Sequence, residues 1–330
     1  MTGPRRQAKI EIEFGHIGGE QASRAGYNRR MTKPLVSVVI PAYNHEQFIG
    51  AAIDSVLNQT MSDLELIIVD DGSTDNTAEV IKAYNDPRIS YTWQENQDAY
   101  NTINRGMSMA SGQYISILNS DDVYTIDRLE KCLQHIENTD AEVVFSDVIP
   151  IDGEGQPLTE PNFGWNLWHQ KNRDYYFRFN DVYAGFLNGN YMVTTSNLFM
   201  TREAVEKAGE FTSLRYLHDY DYIFRLMLAC PDRVSYLHDA QLVYYRIHEG
   251  NTLSEAAITG REQDLQVIEK YMLASVPENC RERVRTGANR LRELEREINE
   301  VKAELAQLNQ INPSSLGRRA LARARRLLNT

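Results

Sequence analysis

The sequence predicts an α/β protein in which a mostly parallel sheet is flanked by helices and followed by a C-terminal helical extension. Two observations carry that expectation. Short β-branched runs alternate with segments of helical period between residues 35 and 145, the order that builds a parallel sheet covered on both faces. The runs over 35–40 and 64–69 are nearly continuous in apolar residues, as strands buried on both sides are.

The elements follow in order. Residues 35–40 form a buried strand closed by Pro41, and Phe48, Ile49, Ala52, Ile53, Val56 and Leu57 then recur at helical spacing. A second strand over 64–69 runs into Asp70-Asp71-Gly72-Ser73. Thr74 or Asp75 caps the next helix, which carries Ala78, Val80 and Ile81. A third strand over 88–93, a helix over 102–110 and a fourth strand over 114–118 lead into Asn119-Ser120-Asp121-Asp122. A helix over 129–136 and a fifth strand over 142–145 complete the alternation, which stops near Pro150. Residues 150–190 are irregular and rich in Gly, Asn and aromatics. Helices over 202–208 and 219–229 and short strands over 233–237 and 241–246 come next. Residues 284–308 repeat in heptads, with Leu291, Ile298 and Leu305 offset by three from Leu294, Val301 and Leu308. After Asn312-Pro313, residues 316–328 form a helix with Leu and Ala on one arc and five Arg on the other.

Composition bounds the function. At 330 residues, 42% apolar and 25% charged, the chain suits one large domain with appendages, or two domains. No apolar stretch approaches the ~18–20 residues that span a bilayer, and no apolar segment follows the basic N-terminus as in a secretory leader. Three distant cysteines, Cys132, Cys230 and Cys280, argue for a reducing compartment and against a disulfide framework or a cysteine zinc site. The expected location is cytoplasmic. A net charge of -11 discourages nucleic acid as a partner. Residues 281–330 nevertheless hold 12 Lys and Arg against 6 Asp and Glu, a net of +6, which leaves -17 on the rest.

Ligands of such sheets bind beyond the carboxyl ends of the strands. Here those ends carry Pro41-Ala42-Tyr43, Asp70-Asp71 and Asp121-Asp122. Two acid pairs on neighbouring strand tips repel one another unless a cation joins them. A hard divalent ion shared with substrate phosphates is one solution, and hydrogen bonding of one pair to a base or ribose is another. Turn and helix capping is the purely structural alternative. Neither G-x-G-x-x-G after a strand nor G-x-x-x-x-G-K-[ST] occurs, so dinucleotide and P-loop sites are excluded. Neither G-x-S-x-G nor H-E-x-x-H occurs, and Asp70-Asp71-Gly72 lacks the second Asp spacing of an aspartyl phosphatase.

Ser37-Val38-Val39-Ile40-Pro41-Ala42-Tyr43-Asn44, Ile68-Val69-Asp70-Asp71-Gly72-Ser73-Thr74-Asp75 and Leu118-Asn119-Ser120-Asp121-Asp122 resemble glycosyltransferase family 2, as do His218-Asp219-Tyr220-Asp221 and Tyr245-Arg246-Ile247-His248. The resemblance covers about residues 35–250 in the right order. It implies an inverting GT-A enzyme that uses a nucleotide-diphosphate sugar, commonly a UDP-sugar. Pro41, Ala42 and Tyr43 would line the base and ribose pocket, and Asp70 or Asp71 would accept from the base. Asn96, Arg105 and Asn119 would join the nucleotide side. Asp122 is the first choice for Mn2+ or Mg2+, with Asp121 on ribose or metal. His248 would close over metal or diphosphate, with Arg246 adding positive charge. Asp219 would be the base, although it also stands where a helix begins and would serve as its cap. Asp221 is expected to support the fold or Arg225. Trp165, Trp168, Ser196 and His218 are acceptor-side candidates, with Thr194, Thr195 and Asn197 in the same segment as Ser196, and the aromatics of 163–186 either stack acceptor sugars or pack a lid.

The sequence departs from the family pattern at Asn119, which replaces the first Asp of a D-x-D, at Asp98, where Gly is usual, and at Ile103, where an Arg often helps the nucleotide. A nucleotide-sugar-binding module without turnover is the alternative that Asn119 and Ile103 leave open, and a scaffold partner of another glycosyltransferase, assembled through the tail, is a second. The expected organisation is an N-terminal extension, poorly ordered, over 1–33, and a catalytic domain over 34–250. Within that domain 34–150 form the nucleotide half and 151–250 the acceptor half. A helical extension over 251–311 and the basic helix over 312–330 follow. The heptads over 291–308 would dimerise or fold back, and 316–328 would meet an anionic membrane surface or the acidic body. The implied activity is transfer to a glycan or lipid-linked acceptor in surface polysaccharide synthesis.

Overall fold

The computed structural model describes residues 33–214, 217–248 and 277–311, with Val267, Glu269, Lys270, Tyr271 and Leu273 between the last two stretches. The expected N-terminal extension (Lys33 apart) and the basic helix over 316–328 lie outside the described residues.

The first half alternates as the sequence predicts: β1 (Val36–Ala42), α1 (Ile49–Leu57), β2 (Leu64–Asp70), α2 (Thr77–Lys82), β3 (Ile89–Trp93), α3 (Ala99–Met109) and β4 (Tyr114–Ile117). These strands lie side by side in the order β3-β2-β1-β4, all parallel. Then come β5 (Val123–Tyr124), α4 (Arg128–Asn138), β6 (Val143–Ile151), α5 (Gly164–Phe179), α6 (Val182–Asn188) and a 3-10 turn at Thr195–Asn197. β7 (Phe199–Thr201), α7 (Arg202–Ala208), α8 (His218–Ala229), β8 (Val234–Arg246) and α9 (Glu278–Ile311) follow. The sheet continues β4-β7-β6-β8-β5, with β7 antiparallel to both neighbours, β6 and β8 parallel, and β5 antiparallel to β8.

Strand alternation sorts the core into two layers. Val39, Ile67, Val69, Ile115, Ile117 and Phe145 pack with Ile103 and Met107 of α3 and Ile223 of α8. Val36, Val38, Ile40, Leu66, Ile68 and Val144 pack on the other face with Ile53 of α1 and Leu129 and Cys132 of α4. Gly106 sits where α3 crosses β1, and a Cβ there would come within 2.3 Å of Val39 Cγ1. Only glycine permits that approach.

Four segments differ from the sequence expectation. Residues 150–190, expected to be irregular, contain α5 and α6. Only His169 of α5 is fully buried, so its rings are spread around the helix and leave no 3.6-residue stripe to read. The two strands expected over 233–246 are one strand, β8, with a register break opposite Ser146 and Asp147. β5 and β7 were not expected; at two and three residues, neither carries a period. The heptad stretch is helical as expected, and Leu294 and Ile298 on it are 37% and 52% exposed. Among the described residues no helix is long and apolar enough to cross a membrane.

Candidate active site

Because β2, β1 and β4 are parallel neighbours, their carboxyl ends share one edge, and the strand order reverses on either side of β1. Ligand crevices of open α/β sheets form at such a point. Ala42 pairs with Asp70 at the tips of β1 and β2, and Asp71 N donates to Ala42 O at 2.8 Å. Tyr43 is 47% exposed at this edge, with Pro41 half-buried. Ala42, expected in the base pocket, faces the core instead, since the two-residue period sets its side chain with Val38 and Ile40.

The two acids at the end of β2 have separate surroundings. Asp70 is fully buried, accepting from Ser73 N at 2.9 Å and Tyr91 Oη at 3.0 Å. Asp71 Oδ1 accepts from Gln94 Nε2 at 2.6 Å and Gln97 N at 2.9 Å. Gln94 Oε1 in turn accepts from Arg105 Nη1 at 2.8 Å. Gln94 therefore joins two expected site residues. It follows the last residue of β3, the same strand-end address that marked the acids. Asn96 is exposed and packs its backbone on Gly72, whose φ of +77° requires glycine. Ile103 is buried in the core, while Arg105 on the other side of α3 is exposed.

At the end of β4 the residues part ways within four positions. Asn119 spends its amide on the segment after α6: Nδ2 donates to Thr194 Oγ1 at 3.0 Å and Oδ1 accepts from Thr195 Oγ1 at 2.8 Å. Asp122 is buried, with Oδ2 accepting from Ser196 Oγ at 2.5 Å and Thr194 Oγ1 at 3.1 Å, and Oδ1 from Arg246 N at 3.0 Å. Asp121 turns the other way. Its Oδ2 lies 3.2 Å from His248 Nε2, and ligand atoms of His45, Asp121 and His248 all fall within 4.8 Å of one another. The motif singles out Asp122 for a metal, whereas the geometry gathers Asp121, His248 and His45. Ser120 and Asp121 form the corner of a turn closed by Asp122 N donating to Asn119 O at 3.1 Å, and beyond that corner Asp122 points into the protein.

Electrostatics separates the same pair. Burial acts to raise the Asp121 pKa, but the His248 hydrogen bond and the charges of His45 and His248 outweigh it and hold the carboxyl below its ordinary value. Burial and then the Asp121 charge push Asp122 up to about 8. Burial lowers His45 against the pull of Asp121. Arg246 braces the loop: Nε donates to Asp121 O at 2.8 Å and Nη1 to Asp152 O and Gly153 O. Its guanidinium lies 4.8 Å above the Phe48 ring, which packs against both imidazoles.

Asp219 sits in the first turn of α8, whose N-cap is Leu217. It is not the cap residue, although its Oδ1 accepts from Tyr220 N at 2.8 Å. Oδ2 accepts from Asn190 Nδ2 at 2.9 Å. Burial raises its pKa, opposed by the His218 charge and the Asn190 hydrogen bond. Asn190 and Thr194 are four residues apart, so the chain between the Asp219 contact and the Asp122 contact spans at most about 14 Å. Val193 within that span has φ +78°, a strained conformation for a β-branched residue.

The acceptor-side candidates divide. Ser196 is fully buried and its hydroxyl is committed to Asp122. Trp165 stacks on His169 and Tyr245 with ring centroids at 4.9 and 5.8 Å, so it packs. Trp168 is 39% exposed, and His218 is half-buried against Phe211. Asp221 supports the fold as expected, accepting from Arg225, Lys270, Tyr271 and Thr212.

Residues 37–207 match the sequence family described as glycosyl transferase family 2. The chain belongs to that family. An uncharacterised glycosyltransferase of Rickettsia typhi is 31% identical to this family 2 member over 240 residues, 68% of this chain and 67% of the relative. A chondroitin synthase of Escherichia coli is 27% identical over 243 residues, 72% of this chain but 33% of that protein. Among solved structures, S. aureus TarS in complex with UDP-GlcNAc superposes with a TM-score of 0.56 at 20% identity, covering 75% of this chain and 69% of that one. The mannosyltransferase PcManGT of Pyrobaculum calidifontis, in complex with GDP-Man and Mn2+, superposes at 0.59 and 17% identity over 91% of this chain and 82% of its own. The mixed sheet flanked by helices is that of GT-A glycosyltransferases, and this family 2 member is a glycosyltransferase.

Proposed function

We infer that the protein transfers a sugar from a UDP-sugar to a hydroxyl of a glycan or lipid-linked glycan in surface polysaccharide synthesis, with inversion at the anomeric carbon. The observation that carries this reading is the convergence at one sheet edge. Asp71 with Gln94 and Arg105 stands at the ends of β2 and β3, Asp121 with His248 stands at the end of β4, and the segment from Asn190 to Ser196 ties Asp219 to the β4 loop.

Asp71, beside Tyr43 and Pro41, would receive the uracil and ribose, with Arg105 held to it through Gln94. Asp121 and His248 would hold a divalent ion, Mn2+ or Mg2+; the carboxylate oxygen is an ordinary donor to both, and the imidazole nitrogen suits the transition ion better. Such an ion supplies Lewis-acid neutralisation of the diphosphate leaving group. Asp219 takes the proton from the acceptor hydroxyl while that oxygen bonds to the anomeric carbon, and the bond from that carbon to the diphosphate oxygen breaks with its electron pair leaving on the diphosphate. Asn190 holds the carboxylate for that role. Trp168 offers the exposed ring on the acceptor side. The relatedness to a chondroitin synthase supports a polysaccharide product.

Calorimetric titration of UDP-sugars with Mn2+, repeated in EDTA and with Asp121→Ala, tests the donor site, and single-turnover transfer tests the chemistry. One UDP-sugar binding only with metal and only to the unmutated chain is the expected result. Tight metal-dependent binding with no transfer to any acceptor would instead favour a binding module without turnover.

A further inference from the structure

We propose that His45 is a third protein ligand of the divalent ion, completing a two-imidazole, one-carboxylate site that takes Mn2+ in preference to Mg2+ and fills before any nucleotide sugar arrives. The inference rests on the reading of Asp121 and His248 as metal ligands and deepens it.

Four observations carry it. First, one ring nitrogen of His45, one of His248 and one oxygen of Asp121 lie within 4.8 Å of one another, a spacing that a single ion can bridge once ligand distances close to ~2.0–2.2 Å. Second, His45 Nδ1 is 2.7 Å from Ser120 Oγ. Metal-binding imidazoles commonly use one nitrogen to bond a neighbour, which sets the tautomer and ring plane and leaves the second lone pair for the cation. Ser120 is buried and adjacent to Asp121, so the residue that orients His45 belongs to the same loop as the carboxylate. Third, Phe48 packs against both imidazoles, with centroids at 5.8 Å from His45 and 4.8 Å from His248. That ring holds the two side chains facing a common point. Fourth, the loop between β1 and α1 is anchored at this end: His45 N donates to Thr77 Oγ1 at 2.9 Å and Glu46 N to Asp75 Oδ2 at 3.0 Å. The backbone carrying His45 is thus tied to Thr77, the first residue of α2, and to Asp75 just before its N-cap Asn76, independently of any ligand.

Donor chemistry then gives the selectivity. Mg2+ favours oxygen donors and parts reluctantly with water, whereas imidazole suits first-row transition ions, for which nitrogen affinity rises from Mn2+ onward. Two nitrogens out of three protein donors tilt the site away from Mg2+. Three preorganised donors also remove the need for the diphosphate to complete the first binding event.

The test uses the full chain, MnCl2 alone and no nucleotide. Free Mn2+ is followed by its electron paramagnetic resonance signal, Mg2+ by competition, and nitrogen ligation by pulsed measurement of 14N couplings. Wild type is expected to bind Mn2+ at least about tenfold more tightly than Mg2+, with two coupled nitrogens. His45→Asn, whose amide reproduces the Ser120 hydrogen bond but not the second ring nitrogen, is expected to weaken Mn2+ by tenfold or more and leave one coupled nitrogen. Ser120→Ala is expected to weaken Mn2+ with both nitrogens retained, as loss of an orienting neighbour costs ~10–100-fold in metal affinity. Unchanged Mn2+ affinity and unchanged couplings in His45→Asn, with thermal unfolding like that of wild type, would overturn the role of His45 and leave Asp121 and His248 standing. Should Mn2+ bind wild type only once UDP is added, the prefilled site is wrong. No Mn2+ binding with or without UDP would instead remove the metal reading altogether.

Discussion

Asn190 Nδ2 donates to Asp219 Oδ2 at 2.9 Å, and this one hydrogen bond holds the proposed base from outside its own helix. It stabilises the ionised carboxylate, so it pulls the Asp219 pKa down while burial, the larger effect, pushes it up. A base must be deprotonated to act, so kcat/KM rises with pH through its pKa. The acid limb of the wild-type profile should therefore lie above the ordinary Asp value of 3.8. Asn190→Ala removes the stabilising donor and should move that limb to higher pH, a shift that a pH–rate profile reads directly.

Asp219→Asn keeps shape and burial and removes the proton acceptor. We expect turnover to fall by ~10²–10⁴-fold while UDP-sugar affinity, read by calorimetry, changes little. Loss of donor binding together with turnover would assign Asp219 a structural part.

Gln94 bonds Asp71 at 2.6 Å and Arg105 at 2.8 Å. Gln94→Leu fills the same volume and leaves both polar groups without that partner. A rise of about tenfold in donor KM, equal to ~1.4 kcal/mol, with kcat nearly unchanged is the expected signature of a residue that shapes the nucleotide pocket.

Asp98 has φ +69° and ψ 155° and makes no side-chain cap bond to α3. That conformation costs a non-glycine residue roughly 1–3 kcal/mol, against ~0.5–1 kcal/mol of extra chain entropy lost by glycine. Asp98→Gly should therefore raise the unfolding free energy by about 1 kcal/mol, measurable by urea denaturation.

Asp221 is fully buried and takes hydrogen bonds from Arg225 and Lys270 at 2.8 Å and from Tyr271 at 2.5 Å. Burial works to raise its pKa, and these donors outweigh it, leaving the carboxyl below 3.8. Asp221→Ala leaves the buried side of Arg225 unpaired and should cost about 3 kcal/mol. Lys270→Ala, at a side chain 61% exposed, should cost under about 1 kcal/mol. Since the folded pKa is the lower one, the stability Asp221 provides is present above the unfolded pKa and lost as pH falls through the folded one. The gap between wild type and Asp221→Ala in chemical denaturation should shrink as pH is lowered past about 4.

How much was legible differs by residue. β1, β2 and β4 were readable because each is an apolar β-branched run ending in polar residues, and parallel order made their tips converge. Gln94 obeyed the same strand-end rule and was open to the same reasoning. Asn190 offered no signal, since its partner Asp219 lies 29 positions away. α5 was hidden because its rings do not form one buried stripe.

By itself the sequence determined the alternation of strand and helix, the layer to which each strand side chain belongs, and the acidic strand ends on which any ligand would converge. These follow from local periodicity, which a chain carries wherever it folds. Only the tertiary structure decided that Asp122 turns inward to Ser196 and Arg246 while Asp121 turns outward to His248. It alone brought His45, three residues past the carboxyl end of β1, to meet them. Those choices depend on contacts between segments about 70 to 130 residues apart, and one position in the turn after β4 is enough to reverse which of two identical side chains meets the opening.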